Sequence, residues 1–213
     1  MGRRALRKID PNLELSSWFR REEDLPEALP HPSLFGRIAP LEIEIGTGKG
    51  LFLDHATAAC PDHDFLGIEV RRKYARFAAA TLAKRERTNA KVIHGEGARI
   101  LAQRVQTASI SAIHVYFPDP WWKKRHRKRR VMNEGFLQQV ERVLQPGGML
   151  HFWTDVCEYY ESTLDFIDRI TDLQGPEIPP EQPATHDTDY RTHFERRTRQ
   201  HDLPVYRSLF RKP

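Results

Sequence analysis

Residues 41–50 have the sequence LEIEIGTGKG, and this stretch decides the fold. Apolar residues alternate with glutamates over 41–45, which is the period of a half-buried β-strand, and three alternating glycines end that strand. Residues 51–59 then have the pattern of a helix. A strand, a glycine turn and a helix in direct succession are typical of the first unit of a parallel sheet covered by helices.

Strand and helix alternate five times from residue 41 onward, which predicts an α/β fold with a mostly parallel sheet and helices on both faces. The predicted strands are 41–45, 65–70, 91–94, 110–117 and 149–153, and the predicted helices are 51–59, 74–87, 99–106, 134–144 and 156–171. Residues 173–190 contain four prolines and are expected to form a surface loop. The tail over residues 191–212 is expected to add one or two strands.

The 213 residues suit one globular domain, residues 41–213, preceded by an extended arm over residues 1–40 that is rich in proline and charge. No stretch approaches the roughly 18 apolar residues that a membrane span needs, and the N-terminus lacks the apolar region of a secretory signal. The two cysteines, Cys60 and Cys157, match no metal-ligand spacing, so we expect reduced thiols in a cytoplasmic protein without a metal. The oligomeric state is open, with a monomer favoured.

The glycine turn is the first candidate for a binding site, because ligands of such sheets bind at the carboxyl ends of the strands. Gly46, Gly48 and Gly50 allow a sharp turn and a close approach to a ligand. Glu69 ends the second strand 23 residues after Gly46, an offset at which a carboxylate can accept hydrogen bonds from ribose hydroxyls. The alternative is an ordinary strand-to-helix turn, which Glu44 before the glycines and Glu69 after them disfavour.

The spacing of these glycines does not fit two phosphate-binding motifs. A dinucleotide fingerprint needs glycine where Leu51 stands, and a P-loop needs another glycine spacing and a Ser or Thr after Lys49. The carboxylate of Glu44 suits a ligand that has a cationic end and no phosphate, and S-adenosylmethionine is such a ligand. Glu96 follows the third strand and could bond an adenine amino group, although a loop glutamate is more often merely solvated.

Asp119 stands between two prolines directly after the fourth predicted strand. Pro118 and Pro120 restrict the backbone on either side and should hold the Asp119 carboxylate at the open end of the sheet, next to the expected cofactor. Trp121 and Trp122 follow, and their rings could stack on a flipped base or brace the loop. Bracing is the preferred interpretation for Trp121, and both interpretations are open for Trp122.

The loop that follows is strongly basic. Residues 123–130, KKRHRKRR, hold seven of the 34 lysines and arginines, and the net charge of +5 depends on them. A basic run can be a solvated face or a targeting signal. Its position between the fourth strand and the next helix, beside the expected site, favours contact with a polyanion such as RNA.

Residues 118–130 resemble the signature PDPWxKxRHxKRR of the bacterial tRNA (guanine-N7-)-methyltransferase family. The motifs EIG at 44–46, GIE at 67–69, TD at 154–155 and THFE at 192–195 extend the resemblance, which covers roughly residues 41–211. The resemblance implies a Rossmann-like class I methyltransferase fold of seven strands, the last antiparallel. It also implies S-adenosylmethionine as the cofactor and a guanine in the variable loop of tRNA as the substrate.

The resemblance further implies roles for individual residues. The cofactor site would consist of Glu44, Gly46, Gly48, Gly50, Glu69, Glu96, Gly97 and Asp119, and Asp119 would also be catalytic. The tRNA would contact Lys123, Arg125, His126, Arg129, Arg130, Asp155, Thr192, His193, Phe194 and Glu195. Family members usually have Asp-Ala where this chain has Glu96 and Gly97, so the adenine contact stays open.

The implied chemistry needs no general base, because N7 of guanine has a free lone pair. What remains is the positioning of two reactants and the stabilisation of charge on the purine, a role we expect for Asp119. Three alternatives are a methyltransferase of another RNA or of a protein, an RNA-binding protein without activity, and a nicotinamide dehydrogenase. The glycine turn with its acidic partners disfavours the second, and Leu51 and Glu44 disfavour the third.

Overall fold

The computed structural model describes residues 6–213 except 31, 182, 185, 187 and 188. In this part of the chain eight strands form one sheet. The strands are β1 (Phe19–Arg21), β2 (Leu41–Ile45), β3 (Asp64–Glu69), β4 (Ala90–His94), β5 (Ile110–Tyr116), β6 (Leu144–Thr154), β7 (Gln174–Glu177) and β8 (Tyr206–Arg211). The α-helices are α1 (Pro32–Phe35), α2 (Leu51–Ala59), α3 (Arg72–Lys84), α4 (Gly97–Arg104), α5 (Glu134–Val143), α6 (Cys157–Ile170) and α7 (His193–Gln200).

The strand order is β1-β4-β3-β2-β5-β6-β8-β7. All pairs among β1 to β6 are parallel, whereas β8 is antiparallel to both β6 and β7. The five predicted strand–helix units and the antiparallel last strand are therefore confirmed. From β2 the chain first builds the sheet toward β4 and then returns to place β5 on the other side of β2. This reversal is the position at which open α/β sheets bind their ligands.

Helices cover both faces of the sheet, as predicted. On one face, α4, α5 and α6 pack apolar side chains such as Ile100, Leu137 and Tyr159 against the strands. On the other face, α2 and α3 contribute Leu53 and Ala79 among others. The central strands are buried on both sides, which is why their sequences are nearly continuous apolar runs. Within the described ranges no helix is both long and apolar enough to cross a membrane.

The N-terminal residues differ from the predicted extended arm. β1 adds an eighth strand, one more than the seven predicted, by pairing with β4 at the sheet edge. Leu15, Leu25 and Leu29 are buried, and the Trp18 indole donates to the Arg87 carbonyl at 2.9 Å. These leucines follow neither a helical nor a strand period, so the sequence alone does not show that they pack into the core. The domain boundary at residue 40 stays a prediction.

Three segments contain helices or strands that the sequence did not predict, although β8 confirms the expected strand in the tail. The predicted loop 173–190 contains β7, whose four residues are all exposed and carry no alternating pattern. The tail contains α7 as well as β8, and the very polar α7 begins at a Thr192 cap instead of following an apolar stripe. The basic loop contains a 3-10 helix, Lys124–Arg129. β7 forms by pairing with β8, and α7 begins at the local Thr192 cap, so neither element needs the hydrophobic period that sequence patterns detect.

Candidate active site

The glycine turn joins β2 to α2 in a conformation that favours glycine. Gly46, Gly48 and Gly50 have φ values of +82°, +55° and +79°. A side chain at Gly50 would meet the Ala78 Cβ at 2.9 Å, so α3 packs directly on the turn. A side chain at Gly46 would meet no atom within 4 Å, so the turn opens onto free space where a ligand can approach the backbone.

Glu44 precedes this turn and is 3% exposed. The Thr47 hydroxyl donates a hydrogen bond to its carboxylate. Burial raises the pKa of Glu44 to about 8; the Thr47 hydrogen bond opposes that shift and the negative charge of Glu69 adds to it. Without a ligand, Glu44 therefore holds a proton at neutral pH. A cationic group at the turn would favour the ionised carboxylate instead.

Glu69, at the end of β3, lies across from the same turn. Its carboxylate accepts the Gly48 N–H at 3.0 Å and the Arg71 N–H at 2.8 Å. These two bonds fix the turn against β3 and leave further lone pairs of the carboxylate for a ligand. Two carboxylates beside an open glycine turn fit the ammonium, sulfonium and ribose groups of S-adenosylmethionine. Among the described residues, no cluster of acidic, histidine or cysteine side chains could hold a metal ion.

Asp119 follows β5, the strand next to β2, so it lies at the neighbouring strand end. Phe117 and Trp121 bracket it with φ values of +49° and +45°, which are unusual outside glycine. Such backbone persists only where the surroundings impose it, and it clusters at functional sites. One Asp119 oxygen lies 3.9 Å from the Arg71 guanidinium, a loose contact with both side chains about half exposed.

A cavity of about 420 Å³ opens at Asp119. Its wall is formed by Arg71, Asp119, Pro120, Trp121, Trp122, Lys123 and His126. Arg129 lies over the Trp121 ring at 5.1 Å and His126 meets it edge-on at 5.9 Å, so Trp121 is braced as the sequence predicted. Trp122 is 68% exposed, which leaves its ring open to a stacking partner.

The members of the basic run differ in burial and in ion pairing. Arg130 is buried: it donates to the Pro120 carbonyl at 2.8 Å and pairs with Glu158 at 2.7 Å. Arg127 pairs with the same Glu158 at 3.1 Å, so the loop is fastened to α6. The exposed members are Lys123, Lys124, Arg125, Arg127, Lys128 and Arg129. Arg130 was expected to contact tRNA, but its buried guanidinium instead fastens the loop to α6.

The segment 192–195 lies beside the Asp119 loop, because the Phe194 ring stacks on the Phe117 ring at 6.0 Å. Thr192 caps α7 by accepting the Glu195 N–H at 3.0 Å. Glu195 is buried and pairs with Arg199 and Arg207, so it secures the segment from within. His193 is half-buried at the start of α7, and Asp155 is half-buried directly after β6.

A polar network that is buried at His114 and Tyr116 was missed by sequence reasoning. Arg191 donates to the Tyr116 hydroxyl at 2.9 Å, and that hydroxyl lies 2.9 Å from His114 Nδ1. His114 Nε2 and His63 Nδ1 each lie 2.6 Å from one oxygen of Glu42. Burial opposes the charge on Glu42, but the two histidines outweigh it and leave its pKa lowered. The network links β2 and β5 to Arg191, the residue before Thr192. No local sequence motif predicts it.

Glu96 and Gly97 lie at the start of α4, beyond Glu69. Both oxygens of Glu96 accept backbone N–H groups of its own helix, from Ala98 at 3.1 Å and Arg99 at 2.9 Å. A side chain at Gly97 would meet Ile45 at 2.9 Å, so a glycine lets α4 approach β2 closely. A second cavity, of about 390 Å³, opens beside Glu96.

Comparison with known proteins is consistent with this geometry. A family profile described as "Putative methyltransferase" matches residues 38–208. A protein of Rhodopirellula baltica named tRNA (guanine-N(7)-)-methyltransferase is 50% identical, and the match covers all of this chain and 80% of that protein. A protein of Alkalilimnicola ehrlichii with the same name is 36% identical over 84% of this chain and 75% of its own length.

Solved structures of methyltransferases share the fold at low identity. The 16S rRNA methyltransferase KamB is 13% identical, with a TM-score of 0.59 over 85% of this chain and 92% of that one. A SAM-dependent methyltransferase from Aquifex aeolicus is 13% identical, with a TM-score of 0.56 over 82% of both chains. At this identity the likeness supports the fold alone.

Proposed function

Because the chain belongs to the bacterial tRNA (guanine-N7-)-methyltransferase family, we propose that it methylates N7 of guanine 46 in the variable loop of tRNA, with S-adenosylmethionine as the methyl donor. One observation carries the proposal. Asp119 stands at the strand reversal between the acidic glycine turn and a cavity walled by tryptophan, with an exposed basic surface beside it. These features suit a small cationic cofactor, an aromatic base and a polyanion.

The chemistry needs positioning more than proton transfer. Bound S-adenosylmethionine would supply an electrophilic methyl group: as N7 of guanine attacks with its own lone pair, the bond from methyl to sulfur breaks and its electron pair stays on the sulfur. Glu44 and Glu69 would hold the cofactor from the β2–β3 side of the sheet. Positive charge appears on the purine as N7 is methylated, and the Asp119 carboxylate, fixed by strained backbone on either side, stabilises it. Arg71 balances Asp119 before the base arrives.

The exposed basic residues bind the phosphate groups of the RNA. Lys123, Lys124, Arg125 and Lys128 are not held in the ion pairs that fasten Arg127 and Arg130 to Glu158. Phosphate contacts of this kind give affinity without sequence specificity, so selection of the base depends on the cavity. Trp122, exposed at its rim, is the stacking surface for a base taken out of its tertiary contacts.

We also assign the enzyme to the cytoplasm and treat it as a monomer. A reducing compartment suits its two free, exposed thiols, Cys60 and Cys157. Such a compartment is also where tRNA is found.

The test uses two tRNA transcripts that differ only at position 46, guanine in one and adenine in the other. Each is incubated with the protein and labelled S-adenosylmethionine, digested to nucleosides and analysed by mass spectrometry. We expect 7-methylguanosine from the guanine transcript alone. Equal label in both transcripts, or label in another nucleoside, would refute the assignment of the position. No label in either would refute the assignment of the substrate.

A further inference from the structure

The second cavity joins the N-terminal segment to the ligand end of the sheet. It is lined on one side by Arg21 and Glu22 and on the other by Val70, His94, Gly95 and Glu96. Val70 follows Glu69 directly and is 63% exposed, so an apolar surface stands next to the carboxylate expected to hold the ribose. The part of a nucleoside that extends past its ribose is the base, and this cavity lies in that direction.

Glu22 reaches this cavity because β1 pairs with β4. Arg21 stands opposite His94, so the next residue, Glu22, falls beside Gly95. A side chain at Gly95 would meet Glu22 Oε2 at 2.7 Å, so the absence of one allows this approach. The Glu22 side chain is 15% exposed although it belongs to a surface 3-10 helix (Glu22–Asp24).

The two oxygens of Glu22 are used differently. Oε2 accepts the Arg99 guanidinium at 2.7 Å and the Glu96 N–H at 3.3 Å. In the described part of the chain all hydrogen bonds to the Glu22 side chain go to Oε2, so Oε1 keeps its accepting capacity. Glu96, by contrast, uses both oxygens to cap α4. A carboxylate that is oriented by one oxygen and available at the other can recognise an amino group.

We propose that Glu22 recognises the adenine amino group of the cofactor, so that the N-terminal segment forms part of the cofactor site. The proposal rests on the proposed function only in taking S-adenosylmethionine as the cofactor. The family profile begins at residue 38, so this residue lies outside what the shared profile covers. Glu96 then serves to cap α4 and to fix Glu22 through its backbone N–H.

The test compares two ligands by calorimetry without tRNA: S-adenosylhomocysteine, and its inosine analogue, in which a carbonyl replaces the amino group. The wild-type protein should prefer the adenine ligand by at least about tenfold, the value of one hydrogen bond to a charged group. Glu22→Gln offers an amide donor to that carbonyl and should reduce the preference about tenfold. Asp24→Asn removes the same charge from the same turn outside the cavity and should leave the preference unchanged.

The outcomes separate the possible roles. An unchanged preference in Glu22→Gln, or an equal loss of affinity for both ligands, would overturn the proposal. Glu96→Gln gives a second readout if Glu22→Gln does not fold: the preference should survive in it, and its collapse would assign the amino group to Glu96. If the wild-type protein bound neither ligand, the result would refute the proposed function, because the protein would not bind the product of its proposed cofactor.

Discussion

Glu44 offers a test of how burial shifts the pKa of a carboxyl group at this site and how that shift changes stability. Glu44→Gln keeps the size of the side chain and its hydrogen bond with Thr47 but removes the ionisable proton. Burial raises the pKa of Glu44 from 4.5 to about 8 in the folded protein, so the folded state binds this proton more tightly than the unfolded chain does. The resulting stabilisation is complete below pH 4.5 and is lost as pH rises through 8.

The size of the effect follows from these two pKa values. Each pH unit between them removes about 1.4 kcal/mol from the free energy of unfolding. The curve flattens as pH approaches 8, so the loss between pH 6 and pH 8 is about 2 kcal/mol for the wild-type protein. The glutamine variant has no such group and should lack this loss.

The assay is urea denaturation without ligand at pH 6, 7 and 8. The free energy of unfolding of the wild type minus that of Glu44→Gln should fall by about 2 kcal/mol from pH 6 to pH 8. Glu177→Gln, at an exposed residue of β7, is the matched control and should give a constant difference. A constant difference for Glu44→Gln as well would refute the reasoning, because it would mean that the buried carboxyl titrates alike in the folded and unfolded states.

Four further predictions concern the remaining parts of the site. Asp119→Ala should lower the rate of methyl transfer more than about tenfold with an unchanged thermal midpoint; a rate within about threefold of wild type would contradict its catalytic role. Glu69→Ala should weaken S-adenosylmethionine binding, measured by calorimetry, more than tRNA binding, and equal cofactor affinity would count against the ribose contact. Replacing Lys124 and Lys128 by alanine should reduce the slope of log tRNA affinity against log salt by roughly 0.7–0.9 per lost phosphate contact, whereas an unchanged slope would mark them as a solvated face. Arg130→Ala should instead lower thermal stability, since its buried guanidinium fastens the loop.

The sequence by itself determined the central fold and the strand ends at which we expect the ligand. The alternation over 41–45, the glycines after it and the repeated change from strand to helix are local patterns. Each reports which face of its own element is buried, so no knowledge of the rest of the chain is needed. The strand-end positions of Glu44, Glu69 and Asp119 follow directly, because the carboxyl ends of parallel strands share one edge of the sheet.

Only the tertiary structure decided which charged groups stay exposed and which are buried or paired within the fold. Arg130 and Arg129 are neighbours in one basic run, yet the first is buried and pairs with Glu158, 28 residues away, whereas the second is exposed and lies over the Trp121 ring. Glu22 meets Arg99 across 77 residues, a contact that depends on the pairing of β1 with β4. The proton on Glu44 likewise depends on desolvation by the assembled core. The physical reason is that ion pairing and burial are set by the through-space surroundings of a group, and its neighbours in the sequence do not specify them.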